Sequence, residues 1–307
     1  MKKITFLASF LFSVNCLFCQ PDRIDSNYAV RVTAVEWMQD GKSFLFSLVK
    51  YHKTDRQAPF YSRIFRYDLH TRKSEVLFDN AGNLAPSPDG KTIAYMKRDD
   101  KLRTDIYLYD LLGKNESILK IDTFRKSALG WSPNGKFLLY SVITKGTGPQ
   151  ATLDIGLWDF AAKKSRWITQ SGNYKSYNPV WSPDSRRIVY YFEKGDSHDQ
   201  IWLTDTEGSF HTNLTHDTAT HNYYPCWLDD HTIIYTQSPE SIITMNEDGS
   251  NRKKVEGLKT FQVKFNPAAG LVAYLAEQPE NKVFIYDWKK RTTRLELDDA
   301  TIASLWK

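Results

Sequence analysis

Asn178-Pro179-Val180-Trp181-Ser182-Pro183-Asp184-Ser185-Arg186-Arg187-Ile188-Val189-Tyr190 decides the fold, because it is one copy of a pattern that the chain repeats. It reads as a short run into Trp181, a Ser-Pro-Asp turn, and a second apolar run that ends on Tyr190. Aligned on Trp181, the anchors are Trp37, Pro86, Trp131, Trp181, Trp227 and Phe265, spaced by 49, 45, 50, 46 and 38 residues. Each anchor opens a tight turn: Met38-Gln39-Asp40-Gly41, Ser87-Pro88-Asp89-Gly90, Ser132-Pro133-Asn134-Gly135, Ser182-Pro183-Asp184-Ser185, Leu228-Asp229-Asp230 and Asn266-Pro267-Ala268-Ala269-Gly270. Proline presets the first central angle of a turn, Asp or Asn bonds back to the backbone, and glycine takes the left-handed position that closes a hairpin.

The strand after the turn carries the sharpest register mark. Phe46, Tyr95, Tyr140, Tyr190 and Tyr274 stand nine residues after their anchors, and Tyr235 stands eight after Trp227, where the turn is one residue shorter. Their neighbours are aliphatic or β-branched, as in Thr92-Ile93-Ala94-Tyr95, the composition of a buried strand. A third strand follows each time, for example Asp105-Ile106-Tyr107-Leu108-Tyr109-Asp110 and Asp154-Ile155-Gly156-Leu157-Trp158-Asp159, and then a more polar fourth, as around Leu295-Glu296-Leu297. Four-stranded units with large rings on both faces cannot bury those faces alone, but stacking them radially does. The expected architecture is therefore all-β: a six-bladed β-propeller of four-stranded antiparallel blades. Pro179 and Pro225, two residues ahead of Trp181 and Trp227, suit an innermost edge strand, since proline cannot donate to a ladder. Ala303-Ser304-Leu305-Trp306 copies the start of a repeat and reads as either a closing strand or a remnant.

Lys2 and Lys3 followed by the apolar run Ile4 to Cys19 have the form of an export signal, too short for a membrane span. Cleavage before Gln20 removes 19 of the 307 residues and leaves 288, which six units of 48 would fill as one domain over 20–307. The mature chain is expected in the periplasm or outside the cell. Lipid anchoring is disfavoured, because Asn15 and Phe18 precede the two signal cysteines where small residues would be needed. Cys226 is then the single cysteine left, so no internal disulfide is expected. The formal charge of +5 falls to +3 without Lys2 and Lys3, and the basic residues are interspersed with acidic ones. That is not a nucleic-acid footprint, which concentrates its basic residues in a stripe.

With this pattern in hand, the repeats resemble the WD40-like, PD40-type repeats of the TolB propeller family. The likeness is strongest in Asn178 to Asp184 and in Gly130-Trp131-Ser132-Pro133-Asn134-Gly135, and weaker at Asn83 to Gly90 and at Phe265 to Gly270. It covers nearly the whole mature chain but leaves no room for the α/β domain that precedes the ring in TolB proteins. The resemblance implies an envelope-side, protein-binding six-bladed ring, and it does not carry over membership in the Tol assembly. Similar repeats form the propeller half of prolyl-oligopeptidase-like peptidases, which need an attached hydrolase domain that this chain does not accommodate.

The chemical motifs read as scaffold. Gly130 to Gly135 has the wrong spacing for a nucleophile elbow, and Ser132 recurs as the turn residue in Ser87 and Ser182. His211, His216 and His221 step by five residues, but they run from an outer strand into a loop and are not expected to converge on a metal. Asn246-Glu247-Asp248-Gly249-Ser250-Asn251 lacks the spaced carboxylates of a calcium loop and falls where each unit turns between its last two strands. No catalytic residues, metal ligands or cofactor are assigned, and the chain is expected to act as a monomer.

Binding is expected on the face carrying the loops between units. Ser171 to Asn178 and His216 to Tyr224 are rich in tyrosine and amides, which offer large contact area at small entropic cost. The candidate binding residues are Tyr174, Tyr177, Asn178, His216, His221, Asn222, Tyr223 and Tyr224, although one or two of these rings would serve equally to seal the gap between units. The insertion Tyr51 to Tyr61 lies on the same face as a contact arm or a tolerated insertion. The expected partner is a protein or peptide in the cell envelope. The competing reading is an enzyme acting on a glycan or small molecule at the channel mouth, since propellers host many functions.

Overall fold

The computed structural model describes residues 27–306 except 56–57, 59, 99–103, 123, 147–149, 196–197, 240, 261 and 276–280. The predicted export segment over 1–19 lies outside the described residues. Among the described residues twenty-four strands follow in chain order, with one helix at the end. The first sheet is β1 (Tyr28–Trp37), β2 (Ser43–His52), β3 (Tyr61–Asp68) and β4 (Lys73–Asp79). The second is β5 (Ala81–Pro86), β6 (Thr92–Arg98), β7 (Thr104–Asp110) and β8 (Asn115–Leu119). A sheet of eight contains β9 (Lys126–Trp131), β10 (Phe137–Lys145), β11 (Thr152–Asp159) and β12 (Lys164–Trp167), then β13 (Lys175–Trp181), β14 (Arg187–Glu193), β15 (Gln200–Asp205) and β16 (His211–Asn213). Its two halves are each antiparallel and meet through one parallel bridge, Leu153 with Lys175. The remaining sheets are β17 (Asn222–Trp227), β18 (Thr232–Gln237), β19 (Ser241–Asn246) and β20 (Lys253–Lys259), then β21 (Val263–Asn266), β22 (Leu271–Leu275), β23 (Val283–Asp287) and β24 (Thr292–Leu297).

Consecutive four-strand units touch through their first strands, and β1 also contacts β21 and β22, so the row closes on itself. The buried apolar residues show why it must. They fall into clusters between neighbouring units, and each cluster holds one register aromatic from one unit and aliphatic residues from the unit before it. Tyr95 packs with Leu45 and Ile64, Tyr140 with Ala94 and Ile106, Tyr190 with Leu139 and Ile155, Tyr235 with Val189 and Ile201, and Tyr274 with Ile234 and Ile242. Phe46 completes the circuit against Val283 and Ile285 of the last unit. None of these six rings is more than 7% exposed. Burying such a ring stabilises the fold by about 2–3 kcal/mol, and each needs the neighbouring unit to do it.

In three units the hydroxyl of this tyrosine bonds to the fourth strand of its own unit, whereas the Tyr235 hydroxyl is buried with no hydrogen-bond partner among the described residues. Tyr95 Oη donates to Glu116, Tyr190 Oη meets His211 Nδ1 at 2.9 Å, and Tyr274 Oη reaches Thr293 Oγ1 at 3.5 Å. Tyr140 passes over Gly156, its cross-strand partner, where the other units carry Phe65, Tyr107, Trp202, Ile243 or Phe284.

The turns behave as read from the sequence. Ser87, Ser132 and Ser182 are buried, and each hydroxyl oxygen accepts the N–H five residues on, at 2.9 Å in all three. Each hydroxyl also donates to the Asp or Asn two residues on, so all three serines are engaged in holding their turns. The Trp37, Trp131 and Trp181 indoles donate to carbonyls of the preceding first strand, Lys264, Ala85 and Gly130, at 2.7, 3.0 and 3.1 Å. Gly249 holds its turn at φ 82°, and a Cβ there would run into the Leu214 carbonyl of the preceding unit. That accounts for the glycine of the Asn246 to Asn251 turn.

One expectation is corrected. Ala303 to Trp306 is neither a closing strand nor an idle remnant, because Asp299–Ser304 forms helix α1, capped by Asp298 accepting from Thr301 N–H. Ile302 and Trp306, four residues apart as on a helix face, pack into the cluster around Phe46, with the Arg63 guanidinium 4.8 Å from the Trp306 ring centroid. The seam between first and last units is pinned further by Lys264 Nζ on Glu36 Oε1 at 2.5 Å. Asn281 also bonds both Val32 N–H and Val30 C=O, at 2.8 and 3.1 Å.

Candidate functional site

The first strands carry a feature that sequence periodicity did not reveal. Three residues ahead of the anchor, Asn83, Ala128, Asn178 and Tyr224 have φ of 47, 47, 42 and 53°. Each sits where the pairing of first and second strands slips by a bulge. A bulge bends its strand and re-aims side chains. Asn tolerates the left-handed region, but a bulky residue such as Tyr224 is an outlier there, and such strain concentrates at functional sites.

Around the bulges of β13 and β17 the tyrosines gather. Tyr177 and Tyr191 are cross-strand partners with rings stacked at 4.8 Å and 18°. Tyr224 meets the Tyr191 ring edge-on at 5.6 Å, Tyr223 does so at 6.4 Å, and Tyr223 and Tyr224 lie 5.4 Å apart. All four are half-buried. Glu193 joins them by strand alternation, two residues after Tyr191 on the same face. It accepts from Tyr177 Oη at 3.0 Å and from Lys175 Nζ at 2.8 Å. Asp199, in the loop between β14 and β15, contacts His221 Nδ1 through Oδ2 at 2.9 Å, and the His198 ring lies 4.7 Å from the His221 ring. The other Asp199 oxygen is buried with no hydrogen-bond partner among the described residues.

Burial sets the electrostatics. It raises the Asp199 carboxyl above the ordinary range, against the hydrogen bond and charge of His221. It also pushes Tyr191 well above a free phenol, with help from Tyr224, Asp199, Tyr177 and Glu193. Burial first, then Glu193, raises Tyr177 likewise. The phenols therefore remain protonated donors at neutral pH.

Of the residues singled out in the sequence, Tyr177, Asn178, His221, Tyr223 and Tyr224 come together here. Tyr177 and Asn178 lie on β13, and Asn222, Tyr223 and Tyr224 on β17, rather than in loops, because these segments pair with β14 and β18 up to the bulge. Tyr174 is separated from the cluster: it packs on Phe192, on the opposite face of β14, at 5.8 Å. His216 is an exposed turn residue whose N–H donates to Asn213 Oδ1. Asn222 is fully buried and structural, accepting from Gln237 Nε2 and donating to the Thr220 carbonyl, both at 3.2 Å. Lys175, Tyr191, Glu193 and Asp199 were missed. Tyr191 was legible only as the residue after a register aromatic, whose parity points it the other way. The histidines at 211 and 221 serve different neighbours, Tyr190 and Asp199. Among the described residues no group of three or more His, Cys, Asp or Glu could hold a metal ion. Of the insertion Tyr51 to Tyr61, residues 56–57 and 59 lie outside the described residues. Its start is a turn in which His52 Nδ1 accepts from Asp55 N–H at 2.9 Å.

No family model and no curated protein sequence matches this chain. Solved structures do. TolB from Acinetobacter baumannii superposes with a TM-score of 0.61 at 16% identity, covering 87% of this chain and 79% of that one. An oligogalacturonate lyase in complex with manganese gives 0.63 at 15% identity, covering 90% and 78%. A chain of a nidogen/laminin complex gives 0.58 at 11% identity, covering 87% and 91%. The chain is a β-propeller. Its blades are four-stranded and antiparallel. At these identities the likeness is one of fold, and the propellers it resembles include a lyase as well as TolB. No helix among the described residues is long and apolar enough to cross a membrane.

Proposed function

We propose that this propeller binds a protein or peptide partner in the cell envelope, through the tyrosine cluster where β13, β14 and β17 meet, and catalyses no reaction. On this reading the ring has six blades, the eight-stranded sheet counting as two, and occupies 20–307 after an export signal over 1–19 is cleaved. The observation that carries the proposal is the half-buried set Tyr177, Tyr191, Tyr223 and Tyr224, with Tyr224 held at φ 53°. A bulky residue is kept in a costly conformation where it shapes a surface, and tyrosines give rigid contact area with an orienting hydroxyl. TolB and the nidogen/laminin chain, of the same fold, support the reading.

The competing reading is a propeller enzyme for a glycan or small molecule, favoured by one observation: the buried Asp199 carboxyl against His221, a pair suited to proton transfer. Crosslinking in the intact envelope, with wild type and with Tyr223 and Tyr224 both replaced by alanine, decides between them. Loss of a captured protein with an unchanged melting curve is expected. Unchanged capture, or a fold that collapses with the two rings gone, refutes the proposal.

A further inference from the structure

Resting on that binding reading, we infer that the group entering the tyrosine cluster is a cation, the arginine or lysine side chain of a peptide segment of the partner. Three observations converge on it. Among the described residues, the charged groups placed at the cluster are the carboxylates of Glu193 and Asp199 and one ammonium, Lys175, which already lies 2.8 Å from Glu193. The site is therefore net acidic at a pH where its histidines are neutral. The walls are phenol rings, whose faces carry negative quadrupole density and attract a desolvated cation most strongly when half-buried, as these are.

The third observation is the unpaired Asp199 oxygen. A buried carboxylate oxygen without a donor is costly, and this one belongs to the residue paired with His221, next in chain to the β17 strand that carries Tyr223 and Tyr224; its charge also helps to raise Tyr177, Tyr191 and Tyr224. Its other oxygen is held by His221, whose side chain is 46% exposed and so forms part of the rim. A guanidinium or ammonium displacing that rim would supply the missing donor, with Arg favoured for its fork of N–H groups and its stacking on aromatic faces. An anionic or purely apolar side chain would leave Asp199 unpaired and add repulsion or desolvation.

The test uses the full mature chain and three blocked tripeptides, Gly-Arg-Gly, Gly-citrulline-Gly and Gly-Asp-Gly, followed by NMR titration to about 10 mM, a range that detects binding of a few kcal/mol. Citrulline keeps the shape of arginine without its charge. The arginine peptide is expected to bind at least about tenfold more tightly than the citrulline peptide, with Glu193→Gln and Asp199→Asn each weakening it severalfold and the aspartate peptide not binding. Equal binding of arginine and citrulline, preference for the aspartate peptide, or no binding of the arginine peptide overturns the assignment. Displacement by an uncharged oligosaccharide would do the same in favour of a glycan. Envelope crosslinking separates this failure from failure of the parent reading. A partner captured by wild type and lost with Tyr223 and Tyr224, yet insensitive to free arginine and to Glu193→Gln, leaves the binding reading standing and removes the cation. No captured partner at all removes both.

Discussion

Replacing Gly156 by alanine adds a methyl group where the Tyr140 ring already lies. A Cβ built on Gly156 would fall 2.6 Å from the Tyr140 hydroxyl oxygen and nearer still to two ring carbons. Tyr140 is 1% exposed and wedged against Ala94 and Ile106 of the preceding blade, so the ring has no room to swing aside. Overpacking of this kind costs about 1–3 kcal/mol. Alanine recovers about 0.5–1 kcal/mol of that by stiffening the unfolded chain relative to glycine. A net loss of about 1 kcal/mol is expected. With roughly 260 described residues and an unfolding entropy near 2.1 cal/mol/K each, this lowers the melting temperature by about 2 °C.

Urea unfolding followed by tryptophan fluorescence would measure it, and the background decides the cause. Tyr140→Phe keeps the obstructing ring carbons, so Gly156→Ala should cost nearly as much there. In Tyr140→Leu, with the ring gone, the same change should cost nothing or stabilise slightly. If Gly156→Ala is at least as stable as wild type, or costs the same in both backgrounds, the ring does not lie across the third strand and the account of the register tyrosines fails.

Ala128 shares the bulge position of Tyr224 without a large side chain, at φ 47°. Ala128→Gly should therefore stabilise the fold by about 0.5–1 kcal/mol in chemical denaturation, opposite to glycine in an ordinary strand; a loss of stability would mean the bulge is unstrained. Asp199, raised by burial, binds its proton more readily folded than unfolded. Stability is thus penalised above the folded carboxyl's titration, and the penalty fades as pH falls toward the unfolded value of about 3.9. Asp199→Asn should match or exceed wild-type stability at pH 7, with the margin narrowing as pH falls toward 4.5. Wild type more stable at pH 7 by over about 1 kcal/mol would show the Asp199–His221 contact to be structural.

The anchors, turns and register aromatics were written in the sequence because each is a local rule repeated in every unit. A Ser-Pro-Asp turn and a ring nine residues after the anchor need no knowledge of the rest of the chain. The polar stretches around Tyr177 and Tyr223 were also visible, as unusual aromatic content in positions that were not core. Three things depended on distance. Tyr191 and Glu193 entered the site only through pairing with β13, and Asp199 only through a neighbour 22 residues away, His221. The left-handed bulge that places Tyr224 is set by strand pairing, which a tyrosine in sequence does not announce. The last segment became a helix because burying Ile302 and Trp306 against the first blade outweighs its likeness to a repeat. Local patterning determines the unit, since turns and alternation act over a few residues. The site is decided by how two units meet, because side-chain contacts across that junction form only once those two units pack together.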